Sequence, residues 1–213
     1  MHPNAAFGWT DEAAMWAFVS ERAFAHIFAQ TPDGPMVAHA PVVVTTAGNL
    51  QFHLARANRL VPHLDGLTTL AGVLGDDCYV SPDWYARPNQ VPTWLYRAVE
   101  AEGPVRRMSR DELVAQLDAL SATMEAGLAP KPAWTRAKMA DGTFEAMLPG
   151  IVGFEMKVTA LRGTLKFNQH KLPEDIAGMV AALRAQGRDD VVGLVEEQAF
   201  ARSTYKGPGE AGA

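Results

Sequence analysis

The clearest periodicity in the chain lies between Ser109 and Ala126. There Leu113, Leu117 and Leu120 recur on one helical face, with Met124 nearby. Such spacing predicts an amphipathic helix. Ser109 followed by Glu112 forms a capping box at its start, and Ala129-Pro-Lys-Pro132 stops it. A first helix is expected over residues 11–30, with Thr10 as N-cap, Asp11 and Glu12 in the first turn, and Ala14, Met15, Phe18 and Val19 at helical spacing. Phe24–Ala29 either continues it or begins a strand. A last helix is expected from Pro173 to Gln186, since proline suits a first turn.

The remaining apolar runs are short and read as strands. Met36–Thr46 is valine-rich, reaches Ala47-Gly-Asn49 and resumes as Leu50–Leu54, which predicts a β-hairpin. Thr68–Leu74 is a further strand. Gly75-Asp-Asp77 is expected to break it before Cys78–Val80 begins another. Ser81-Pro-Asp-Trp-Tyr85 reads as a turn into a short helical segment. Thr93–Glu102 is a strand that meets Gly103-Pro104, and Gly150–Leu161 is another. The glycine-rich tail Gly207–Ala213 is expected to be disordered. Strands follow one another at short spacing, without a βαβ rhythm. The expected class is therefore α+β, mainly β: an antiparallel barrel with helices on its outside. No linker separates domains. Residues 1–165 are expected to form the barrel and 166–213 a helical extension of the same unit.

Charge and cysteine content narrow the partners. The net charge is -5, whereas direct DNA binders ordinarily carry a basic face. Arg106, Arg107 and Arg110 are the densest basic group, Lys131, Arg136 and Lys138 a looser one, and both read most simply as solvated faces. Cys78 is the single cysteine, so neither a disulfide framework nor a multi-cysteine metal site is expected. No apolar run reaches the ~18 residues that span a bilayer, and a cytoplasmic protein is expected.

The sequence has no GxGxxG after a strand, no P-loop, no HExxH and no GxSxG. His39, His53 and His63 lie near one another in sequence, but spacing alone does not make a metal site, and none is expected. Two segments are chemically unusual. In Phe52-His-Leu-Ala-Arg-Ala-Asn58 a strand runs into Arg56, Asn58 and Arg59, donors suited to a phosphate or to an ordinary solvated strand end. Trp84, Tyr85, Trp94 and Tyr96 form an aromatic group that suits core packing or a flat ligand.

At these segments the sequence resembles the PaiB-type FMN-binding negative transcriptional regulators. The resemblance is carried by Ala38-His-Ala-Pro41, His53-Leu-Ala-Arg-Ala-Asn58, Tyr79-Val-Ser-Pro-Asp-Trp-Tyr85, Val91-Pro-Thr-Trp94 with Tyr96, and Gly150-Ile-Val-Gly-Phe-Glu155, in that order. It spans roughly residues 8–185. It implies an FMN-binding split β-barrel that pairs as a homodimer, with one FMN in each of two interface grooves. It further implies that Pro41, Val42 and Val43 run along the isoalloxazine, and that His53, Leu54, Ala55 and Arg56 line the cleft. Arg56, Asn58 and Arg59, around Ala57, are then candidates for the phosphate, and Thr93 and Trp94 for the cleft or the dimer interface. The activity implied is that of a flavin-linked regulator acting indirectly rather than by holding DNA. A flavin-dependent oxidoreductase or flavin reductase, with His53 as the best acid–base candidate, and a haem-binding split barrel are the alternatives.

Overall fold

A computed structural model describes residues 2–204; the tail from Gly207 onward lies outside them. Eight strands and five α-helices follow in chain order: β1 (Gly8–Trp9), α1 (Glu12–Arg22), β2 (Phe24–Thr31), β3 (Gly34–Val44), β4 (Leu50–Ala55), β5 (Thr68–Val80), β6 (Thr93–Arg107), α2 (Arg110–Ala126), α3 (Thr143–Met147), β7 (Ile151–Met156), β8 (Ala160–Lys166), α4 (Pro173–Ala185) and α5 (Asp189–Thr204). The chain forms two compact units. One comprises residues 11–73 and 99–162, the other residues 2–10, 74–98 and 163–204.

The first unit is a barrel. β2 and β3 form a hairpin paired from Phe24↔Pro41 to Thr31↔Gly34, β3 pairs with β4, and β4 with β7 from Leu50↔Met156 to Ala55↔Ile151. β7 pairs with β6 through Val105↔Met156, and β2 pairs with β5 through Ile27↔Ala71. β5 and β6 are neighbours, so the ring β6-β5-β2-β3-β4-β7 closes on itself. Strict alternation fills it: Ala25, Ile27 and Ala29 of β2, Leu50, Phe52 and Leu54 of β4, and Val152, Phe154 and Met156 of β7 all point inward. Phe52 and Phe154 stack at 5.7 Å in the middle.

Four boundaries of this unit differ from expectation. Asp11, not Thr10, caps α1, its carboxylate accepting from the Ala14 N–H at 3.0 Å. The helix stops at Arg22 because Ala23 adopts a left-handed conformation (φ 47°), which turns the chain into β2. The expected strand over 150–161 is in fact β7 and β8 joined through Lys157-Val158-Thr159. β6 runs past Gly103-Pro104 because Gly103 lets the neighbouring backbone close in: a Cβ there would sit 1.9 Å from the Lys157 carbonyl oxygen.

The second unit holds β1 against the end of β8, the later part of β5, the start of β6, and α4 with α5. Its core joins Cys78, Val80, Leu95 and Phe167 to Met179 and Leu183 of α4 and Val191, Val192 and Val195 of α5. Gly75-Asp-Asp77 does not break β5. Asp76 accepts from Arg97 Nη2 at 2.7 Å and Asp77 from Trp94 Nε1 at 2.9 Å, so both carboxylates are satisfied from β6. The chain continues beyond α4, the helix expected to be last, into α5. Gly187 (φ 71°) makes the turn, and Asp189 and Asp190 sit in the first turn of α5.

Candidate functional site

The β3–β4 register, Val42↔Phe52 and Val43↔Gln51, brings Pro41–Val43 beside Gln51–His53. Val42 and Leu54 point into the barrel, while Pro41, Val43 and His53 are only partly buried. The face they occupy is covered by α2. Leu120, Thr123 and Met124 lie over Val42–Val44 and leave a cavity of about 70 Å³. The His53 Nδ1 lies 3.1 Å from Gln116 Oε1 of α2. Burial lowers the pKa of His53, partly offset by that hydrogen bond.

β4 ends at Ala55, and the following residues divide in role. The Arg56 N–H donates to Gly150 O at 2.8 Å, and its guanidinium donates to the Pro149 carbonyl and to Ile151 O at 3.3 Å. Ala57 is exposed. Asn58 is a turn residue whose Oδ1 accepts from Leu60 N–H at 2.9 Å. Arg59 is exposed, and its guanidinium has no partner among the described residues.

Arg56 shares a recess with two arginines that the sequence reading assigned to a solvated face. Arg56, Arg107, Ser109 and Arg110 line a cavity of about 290 Å³ at the start of α2, walled by Leu113 and Leu148. Arg110 pairs with Glu145. The Arg107 guanidinium makes no hydrogen bond or ion pair among the described residues, although its backbone N–H donates to Asp65 at 2.8 Å. Three guanidiniums thus face one carboxylate, a positively charged pocket. Leu148 and Ile151 also belong to an adjoining apolar cup of about 300 Å³, completed by Leu117, Trp134, Met139, Phe144 and Met147. The concavity is cationic at one end and aromatic at the other. Arg107 and Arg110 flank the capping-box serine, a local signal that sequence reading passes over. Trp134 and Phe144 carry no periodic signal at all.

Arg106 faces elsewhere. It forks onto Glu112 at 2.7 and 3.1 Å and reaches Glu155 at 3.1 Å. The guanidinium, aided by the Ser109 N–H, pulls the Glu112 pKa down to about 2 and pushes that of Arg106 up.

Thr93 and Trp94 belong to the second unit. Thr93 is half-buried. Trp94 is half-exposed, hydrogen-bonded to Asp77 and edge-on to the exposed Tyr79 at 6.1 Å. The three histidines clustered in sequence do not converge. His39 meets His26, His53 meets Gln116, and His63 Nε2 lies 3.4 Å from Asp33. Among the described residues no three histidine, cysteine or acidic side chains could hold a metal together, and no helix is long and apolar enough to cross a membrane.

Residues 1–160 match the model of the family described as "Putative FMN-binding domain". The chain belongs to this FMN-binding family. It is also 26% identical over 197 residues to the Protease synthase and sporulation protein PAI 2 of Bacillus subtilis strain 168, covering 89% of this chain and 92% of that protein. Among solved structures it is similar to the flavocytochrome Anf3 of Azotobacter vinelandii (TM-score 0.60, 14% identity, 78% of this chain and 72% of that one). It is likewise similar to the FAD and haem binding protein of Mycobacterium smegmatis (TM-score 0.57, 17% identity, 82% and 79%). At these identities the likeness is one of fold. It agrees with the closed antiparallel ring, and the split-barrel expectation holds.

Proposed function

We propose that this member of the FMN-binding family is a flavin-linked regulatory protein, with the recess of Arg56, Arg107 and Arg110 as the seat of the flavin phosphate. The observation that carries the reading is the Arg107 guanidinium, unpaired among the described residues, beside two further arginines. A dianionic phosphate satisfies such donors bidentately. The adjoining cup of Trp134, Phe144 and Met139 offers an apolar surface of the kind a flat ring stacks on. When bound, the flavin supplies one- and two-electron redox chemistry. The residues of this chain bind its anionic end, orient it and exclude water. Arg59 and the Asn58 amide stand at the neighbouring turn as further phosphate donors. His53, held by Gln116 under α2, is a positioning residue in this reading rather than an acid or base.

Regulation is proposed to be indirect. The net charge of -5 and the pairing of Arg106, Arg110, Arg136, Arg162, Arg184 and Arg188 with carboxylates leave little cation free for a DNA backbone. The protein is proposed to work as a cytoplasmic homodimer through the exposed faces of Tyr79 and Trp94, with Thr93 alongside and the flavin close to the interface.

The test is purification without added cofactor, followed by FMN titration. The expected result is the visible flavin band, or quenching of FMN fluorescence on addition of apoprotein, with weaker binding in Arg107→Ala. No flavin band and no titration response would sink the flavin reading. A tight mobility shift of promoter DNA at physiological salt would sink the indirect one.

A further inference from the structure

We propose that His26 and His39 together form an open two-imidazole site for a divalent transition metal, with copper(II) the ion it fits best. His26 on β2 and His39 on β3 are direct partners in the antiparallel ladder. Their sequence neighbours Ala25, Ile27, Ala38 and Ala40 are buried, so both rings stand on the outer surface of the sheet. The ring centroids are 4.8 Å apart, the planes cross at 87°, and the two Nδ1 atoms lie 2.7 Å from each other. Neighbouring strands fix both Cα atoms, so little backbone has to be ordered to bring the two nitrogens together.

The separation discriminates between geometries. With metal–nitrogen bonds of about 2.0–2.1 Å, two nitrogens stand about 2.9 Å apart in a cis right-angled arrangement, about 3.4 Å in a tetrahedral one and about 4.1 Å when trans. The 2.7 Å separation is that of a hydrogen bond between the two rings, and among these geometries the cis arrangement of tetragonal copper(II) or nickel(II) asks the smallest change in it; copper(II) binds nitrogen ligands more strongly. Binding requires no net proton release from the neutral rings. The ring that now donates from Nδ1 takes its proton on Nε2 instead, which leaves both Nδ1 lone pairs for the metal.

The surroundings keep the other coordination positions free. The partner of His26 on its far side is Gly72, and a Cβ built there would meet nothing closer than the His26 carbonyl oxygen at 4.0 Å. The floor beside His26 is therefore bare. Phe24, whose ring stands edge-on to His26 at 6.5 Å, and the exposed Phe28 and Val37 frame the pair with apolar groups. Two protein ligands and an uncrowded approach describe an exchangeable site that admits water or a small anionic ligand at the metal, unlike a closed structural one.

The test is a copper(II) titration of the full chain, followed by electron paramagnetic resonance. It is run in a His2→Ala background, because His2 offers copper a competing imidazole. One tetragonal copper with hyperfine coupling to two imidazole nitrogens is expected. His26→Ala and His39→Ala should each lower the affinity at least ~10-fold and reduce the coupling to one nitrogen. His63→Ala should change neither. His26→Gln and His39→Gln, with thermal melting recorded for each, separate loss of a ligand from loss of the fold. Affinity and coupling unchanged in the folded His26 and His39 variants, or no tetragonal copper in the His2→Ala background, would overturn the proposal. The outcome is independent of flavin binding, which the same samples report optically.

Discussion

His53 on the barrel wall and Gln116 on α2 meet at 3.1 Å, and Gln116 is 1% exposed. Its other amide atom, Nε2, has no partner among the described residues. The contact therefore joins a histidine depressed by burial to a side chain whose polar capacity is only half used. A buried histidine with a lowered pKa binds its proton less readily folded than unfolded. Stability is then full above the ordinary histidine value of about 6.5 and declines as the pH falls below it, toward the folded value. Histidine proton shifts followed by NMR should show His53 neutral at a pH where exposed imidazole is half protonated. Gln116→Glu should move that titration upward, since an adjacent carboxylate favours imidazolium. An unmoved titration would show that the two side chains do not communicate.

Arg107→Ala should weaken FMN binding with little effect on stability. Its guanidinium has no partner to lose among the described residues, and a charge-assisted hydrogen bond to phosphate is worth ~1.5–3 kcal/mol, or ~10–150-fold in affinity. Arg56→Ala should lower both affinity and melting temperature, because its guanidinium also holds the carbonyls of Pro149 and Ile151. Equal stability losses in the two variants would contradict this division of labour.

At the start of α2, Ser109→Ala should cost ~1 kcal/mol through loss of the capping box, read as a lower melting temperature. The depressed Glu112 carboxyl makes the same segment acid-sensitive. Its contribution is complete above the ordinary glutamate range and fades as the pH falls toward about 2. Glu112→Gln should flatten that part of the stability profile. A profile unchanged by the substitution would place the acid sensitivity elsewhere.

Gly178→Ala should destabilise the second unit. A Cβ at this α4 position would lie 2.3 Å from the Trp84 carbonyl oxygen, and the contact is with backbone rather than a mobile side-chain end. Overpacking of this kind costs ~1–3 kcal/mol or more. Chemical denaturation provides the check, with Gly193→Ala, where nothing lies within 4 Å, as the control.

Trp94→Glu should convert a homodimer to a monomer in sedimentation while leaving the barrel spectrum intact. If the flavin lies close to the interface, FMN affinity should fall with it. A dimer that survives the substitution would exclude the Tyr79–Trp94 face.

Where local chemistry agreed with tertiary need, the sequence was readable: the Ala47-Gly-Asn49 turn, the α2 capping box and the strand that resumes at Leu50 all stand as expected. It misled where distant partners override local signals. Gly75-Asp-Asp77 stays extended because Arg97 and Trp94 hold its carboxylates, and Gly103 stays in β6 because another backbone presses against it. The candidate site was half legible. Arg56 stands out by sequence, but Arg107 joins it only when the closing strand pairs with β7, a relationship between residues ~50 apart that no window reveals.

That closing pairing also bears on how the chain reaches its native state. Leu50 must find Met156 and Val105 must find Met156 before the ring exists, so the earliest local hairpin, β2–β3, gains no closed interior until late partners arrive. Search over such separations slows folding relative to helical proteins of similar size. During that interval the strand edges of β4 and β6 are unpaired and open to other chains, and refolding yield should fall as protein concentration rises.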